Sequence, residues 1–107
     1  MRFSNDECWM ALIDEINKNG KAAFSVYGTS MIPTLTSGQQ VLIHMDDDYK
    51  IGDIIAYRMK NNNKEYIVIH RVVFVRKSYV LAKGDNNDFI DPLRIQRKDI
   101  IGKVEPL

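Results

Sequence analysis

The sequence predicts a mostly β fold: an antiparallel coiled sheet or partly open barrel, preceded by one N-terminal α-helix. Three features lead there. A single helical pattern occupies the start of the 107-residue chain. From Ala22 onward, short runs rich in Ile, Val, Phe and Tyr alternate with turns centred on Gly, Asn and Asp. The length leaves room for one modest core, so a single domain over residues 1–107 is expected, with the helix at about 5–18 and the β core at about 22–105.

The helix has Asn5 and Asp6 as candidate caps and Gly20 as a stop. Trp9, Leu12, Ile13 and Ile16 share one face, with Cys8 and Met10 at its edges. Its polar side is acidic, unlike that of a membrane-surface helix, so the face is expected to pack onto the domain. Phe24, Val26 and Tyr27 suggest a first strand ending at a Gly28 corner. Gln40–Met45 and Asp53–Met59 read as the next two, separated by the acidic turn at Asp46–Asp48 and the turn at Gly52. Asn61-Asn62-Asn63 is a turn signal, since Asn tolerates left-handed backbone angles. Glu65–Arg76 is the longest β run, with Ser78–Lys83 as its hairpin partner. Gly84–Pro92 is a polar loop, and Ile100–Val104 a closing strand.

Composition excludes several functions. Hydrophobic residues make up 45% and the net charge is +1, with both signs interspersed, so no nucleic-acid partner is expected. One cysteine permits neither an internal disulfide nor a Cys-based zinc site, and Cys8 reads as a buried helix residue. His44 stands near three aspartates but is a single nitrogen ligand, so no metal is expected. No Gly-rich run leads into a helix as a phosphate loop would, and no cofactor is expected. No apolar run approaches the ~20 residues of a membrane helix. The acidic residues Asp6, Glu7, Asp14 and Glu15 exclude a signal peptide at the start. A soluble chain of open location is expected, reaching a membrane only through a partner or a segment outside this sequence.

The residues that can carry chemistry are few. In Tyr27-Gly28-Thr29-Ser30-Met31-Ile32-Pro33-Thr34-Leu35, Gly28 supplies backbone freedom and Pro33 stiffens the exit, with Ile32 expected to be extended. The corner presents Ser30, a candidate nucleophile. The run Tyr66–Val75 is apolar on both faces except for His70 and Arg71. An unpaired polar group buried there costs on the order of a few kcal/mol, so His70 requires an acceptor. The loop from Asp85 to Asp91 offers carboxylates. A hydroxyl on a rigid turn, a base and a group that orients the base are the parts of serine-type nucleophilic catalysis.

Four islands in order resemble the type I signal peptidases and their relatives. Gly28–Leu35 is similar to the nucleophile box and Gly52-Asp53-Ile54-Ile55 to the second box. Ile69-His70-Arg71-Val72 is similar to the box carrying the base. Lys83-Gly84-Asp85-Asn86-Asn87, with Asp91 six positions after Asp85, is similar to the aspartate box. Ile101-Gly102-Lys103-Val104 resembles the closing strand. Typical bacterial members and LexA-type self-cleaving repressors have lysine as the base. His70 instead resembles the branch of the endoplasmic-reticulum enzyme's catalytic subunit and of archaeal and sporulation-related bacterial enzymes.

The resemblance implies a serine endopeptidase on a signal-peptidase-type sheet, with a peptide or pre-protein as its substrate partner. Ser30 would be the nucleophile, His70 the general base and Asp91 the orienting acid. Asp85 would be the other required aspartate, in a catalytic or a structural role. The substrate would add as an extended strand with small side chains beside the cut, bound by Tyr27, Gly28, Thr29, Met31 and Ile69. Some relatives carry a hydroxyl two residues before the nucleophile as an oxyanion donor, where this chain has Gly28. The alternatives are a non-catalytic peptide-binding module on the same fold and a LexA-type self-cleaving regulator.

Overall fold

The structure, a computed structural model, describes residues 2–3 and 6–107, with only the backbone described at 2–3, 6–9 and 61. The candidate cap Asn5 and the side chains of Asp6, Cys8 and Trp9 therefore lie outside what is described. The elements run β1 (Arg2–Phe3), α1 (Asp6–Asn19), β2 (Lys21–Ser25), β3 (Gln40–His44), β4 (Ile54–Asn61), β5 (Lys64–Val75) and β6 (Tyr79–Lys83). Then follow β7 (Ile95–Gln96), a 3-10 turn (Arg97–Asp99) and β8 (Ile100–Pro106).

All strand pairs are antiparallel, in the order β2-β3-β8-β4-β5-β6-β7, with β1 added beside β5. The end strands β2 and β7 are not paired with each other, so the sheet coils without closing into a barrel. The β4–β5 hairpin turns at Asn62 and Asn63, both at positive φ (52° and 65°), as their residue type predicts. Two strands were not legible in the sequence: β1 and β7 are each two residues long, too short to show a period. The first core strand also stops at Ser25, short of the Gly28 corner, although Val26 N–H still donates to Gln39 O (3.0 Å).

Alternation along β4 and β5 divides the interior in two. Ala56, Ile67 and Ile69 point into a core with Leu12 and Ile16 of α1, Met31, Leu35, Val41, Ile43, Ile101 and Val104. Ile55, Tyr57, Val68 and Val72 point the other way, toward Tyr49, Val80, Ala82 and Ile95. The helix thus packs by its apolar stripe as its spacing predicts, and Gly20 N–H closes it on Ile16 O (2.7 Å). Among the described residues, no helix is long and apolar enough to cross a membrane.

Gly102 pairs with Ala56 where the β4–β8 register shifts. A Cβ on Gly102 would fall against the carbonyl oxygen of His44 on β3, and backbone cannot move aside as a side chain can. Gly102→Ala is therefore expected to destabilise the fold by about 1–3 kcal/mol, measured as a lowered denaturation midpoint with an unchanged m-value.

Candidate functional site

Gly28 sits at φ +102°, a conformation that L side chains rarely adopt, and its N–H donates to Ser37 Oγ (3.3 Å). The chain then winds through successive turns from Ser30 to Leu35. Ile32 N–H donates to Thr29 O (3.2 Å) and Leu35 N–H to Met31 O (2.9 Å), and the Ile32–Pro33 peptide is cis. Met31 and Leu35 are fully buried and anchor this turn in the α1-side core, leaving Ser30 at its rim.

Ser30 Oγ lies 3.1 Å from His70 Nε2. His70 is only 7% exposed, and its other ring nitrogen, Nδ1, lies 2.5 Å from Asp91 Oδ2. Burial pushes the Asp91 carboxyl upward, but hydrogen bonds from His70 and Tyr57 outweigh it and hold the pKa below the ordinary 3.8. An ionised Asp91 can only accept, so Nδ1 carries a proton and donates it. In that tautomer Nε2 is the acceptor facing the Ser30 hydroxyl. Three of the four candidates that the sequence offered are thus brought together, from positions 30, 70 and 91.

Asp85 does something else. Its Oδ1 accepts from Arg71 Nε and its Oδ2 from Arg71 Nη2, both at 2.9 Å, and Thr34 Oγ1 donates to Oδ2 at 2.5 Å. Arg71 Nη1 also donates to Gly52 O (2.7 Å). This fork joins the aspartate loop, the nucleophile turn and the start of β4. Asn86 reinforces it: its N–H donates to Ser30 O (2.7 Å) and its side-chain amide to Thr29 O (3.1 Å). Gly84 is required by close approach, since a Cβ there would lie 2.7 Å from Ser30 O.

A groove of about 480 Å³ opens over Ser30 and His70, bordered by Tyr27, Gly28, Thr29, Met59, Val68, Asn87 and Asp91. Tyr27, Gly28 and Thr29, three of the residues expected to bind substrate, border it. Met31 and Ile69 do not; both belong to the buried α1-side core. The correction has a simple cause. Neighbours on a strand point to opposite faces, so His70 in the groove sends Ile69 away from it and brings Val68 toward it.

Sequence reasoning missed Tyr57. It is 2% exposed, and its hydroxyl donates to the same Asp91 Oδ2 at 2.5 Å. Burial first, and then Asp91, push the Tyr57 hydroxyl far above its ordinary pKa of 10.0, so it remains a protonated donor. The signal available was register alone: Tyr57 and His70 fall on one face of the β4–β5 hairpin. His44 lies elsewhere, with Nε2 3.3 Å from Glu105 Oε1. No group of three or more potential metal-ligating His, Cys, Asp or Glu residues occurs among the described residues.

A coiled antiparallel sheet with serine, histidine and aspartate in one line of contacts has the architecture of a serine-peptidase-like domain. Residues 3–105 match the family model described as Peptidase S24-like. The chain belongs to that family, part of the LexA/signal-peptidase superfamily. No curated protein and no solved structure matches the chain.

The Asp85–Arg71 fork carries a pH prediction. Arg71 first, and Thr34 after it, lower the Asp85 pKa below 3.8 against the opposing effect of burial. A folded-state pKa below the unfolded one means stabilisation that is present above the unfolded value and lost as pH falls through the folded one. Asp85→Asn is therefore expected to lower the melting temperature at neutral pH. Its deficit relative to wild type should shrink below about pH 4, read from thermal unfolding at several pH values.

Proposed function

We propose that this chain is a serine peptidase of the signal-peptidase type, in the branch that uses histidine as base. The supporting observation is the unbroken sequence Ser30 Oγ, His70 Nε2, His70 Nδ1, Asp91 Oδ2, with separations of 3.1 and 2.5 Å at its two hydrogen bonds. In this reading His70 takes the Ser30 proton as the hydroxyl attacks a peptide carbonyl. The same proton is then delivered to the leaving amine. Asp91 holds the ring in the tautomer this requires and stabilises the imidazolium that forms. The Ser30 backbone N–H supplies one oxyanion donor. Asp85 serves the site indirectly, by fixing the loop that carries Asp91.

The substrate is an extended signal or leader peptide with small side chains beside the cut. It enters as a strand between the segments before Ser30 and before His70. In support, the β5 edge before His70 already pairs with one added strand, since Arg2 and Phe3 of β1 lie opposite Val68 and Ile67. That same pairing favours a second reading, in which the N-terminal segment of the chain is itself the substrate, as in a self-cleaving regulator.

The test uses a synthetic signal-peptide substrate with small residues before the cut. Wild type is expected to cleave it, with Ser30→Ala and His70→Ala each reduced by roughly 10³-fold or more. Equal background from all three proteins would overturn the peptidase reading and leave a peptide-binding module. Fragments of the chain itself, forming without added peptide at a rate independent of concentration, would select self-cleavage.

A further inference from the structure

The sheet holds a fourth group against the serine–histidine–aspartate line, and its role follows from where it is anchored. Asp91 belongs to no strand or helix. It sits on the loop after β6 and is tied by its N–H to Ala82 O (2.8 Å). A carboxylate held by its backbone and one imidazole can rotate about its last side-chain bond and exchange its oxygens. Tyr57, by contrast, stands in the middle of β4, paired with Val68, two positions from His70. Its ring is buried among Tyr49, Ile55, Val68 and Val80. It meets the His70 ring edge-on, with centroids 6.4 Å apart and planes at 66°.

The tyrosine hydroxyl is thus placed by the sheet rather than by the loop. It and His70 Nδ1 both reach Asp91 Oδ2 at 2.5 Å, while lying 3.5 Å from each other. Two donors face each other across that longer gap, so the carboxylate oxygen is what they share. A phenylalanine would fill the apolar site equally well, and a buried hydroxyl is tolerated only with a partner. The partner here is the acid that orients the imidazole.

We infer that Tyr57 is a positioning residue: its hydroxyl locks the Asp91 carboxylate in the rotation that receives His70 Nδ1, and it acts on Ser30 only through that carboxylate. This rests on the peptidase reading for its catalytic consequence, but the coupling itself can be read without turnover. Removing the hydroxyl leaves Asp91 oriented by one donor, the one it is meant to orient. The hydroxyl stays protonated through the accessible pH range, so it serves as a constant donor and not as a proton carrier.

The experiment compares wild type, Tyr57→Phe, Asp91→Asn and the double variant in the full chain. The first readout is the downfield His70 Nδ1 proton resonance by NMR without substrate, identified by its loss in His70→Asn. Tyr57→Phe, confirmed folded by its dispersed spectrum, is expected to shift this proton upfield and speed its exchange with water. The second readout is turnover of the signal-peptide substrate. For Tyr57→Phe, kcat should fall by about 10- to 100-fold, the size of one hydrogen bond to a charged acceptor, with KM unchanged. Adding Tyr57→Phe to Asp91→Asn should cost nothing further. An unchanged resonance in folded Tyr57→Phe would overturn the inference, as would a kcat loss that adds in full to that of Asp91→Asn. A wild type no more active than Ser30→Ala would sink the peptidase reading instead, while the NMR comparison would still decide whether Tyr57 governs the Asp91–His70 contact.

Discussion

A nearly buried imidazole is the constraint on which the arrangement depends. His70 lies mid-strand with 7% exposure, where an unsatisfied ring nitrogen would be strongly unfavourable. Both nitrogens are therefore supplied. Ser30 comes to one from a turn whose neighbours Met31 and Leu35 are sunk in the core. Asp91 comes to the other from a loop. Packing energy from apolar residues thus positions a polar contact, and the same demand that keeps the fold intact sets a hydroxyl against a base.

The next residue repeats the problem on the opposite face. His70 and Arg71 are neighbours on β5, so their side chains diverge. One loop answers both, with Asp85 accepting the guanidinium and Asp91 the imidazole. The loop reaches β5 at these two residues and is stitched to the nucleophile turn through Asn86 and Thr34. The two aspartates therefore do different work. Asp85 belongs to the frame, and Asp91 touches the imidazole. Tyr57 ties the second of these back to the sheet.

Much of this was legible in the residues. The helix from Asp6, the Asn62–Asn63 hairpin and the long β5 strand each carry a strong local signal, either a 3.6 period, residues tolerant of positive φ, or a sustained β-branched run. Ser30, His70, Asp85 and Asp91 stood out because they match a known order of motifs, whereas a serine, a histidine and several aspartates are by themselves ordinary in a domain of this size. Side-chain direction was less legible. Met31 and Ile69 look adjacent to the chemistry in sequence, yet each turns inward, because adjacency along the chain means opposition across a strand or turn. The short strands β1 and β7 left no period to detect.

By itself, the sequence determined the inventory and its order: one nucleophile candidate, one base, two acids, and a β framework to hold them. Only the tertiary structure decided which acid meets the base, which meets Arg71, and that a tyrosine on β4 joins them. Those outcomes depend on cross-strand register and on which face each side chain takes, and both are set by contacts between segments far apart in the chain. Local propensity encodes the kind of each element, whereas the pairing of His70 with Asp91 and Tyr57 is settled when the sheet assembles.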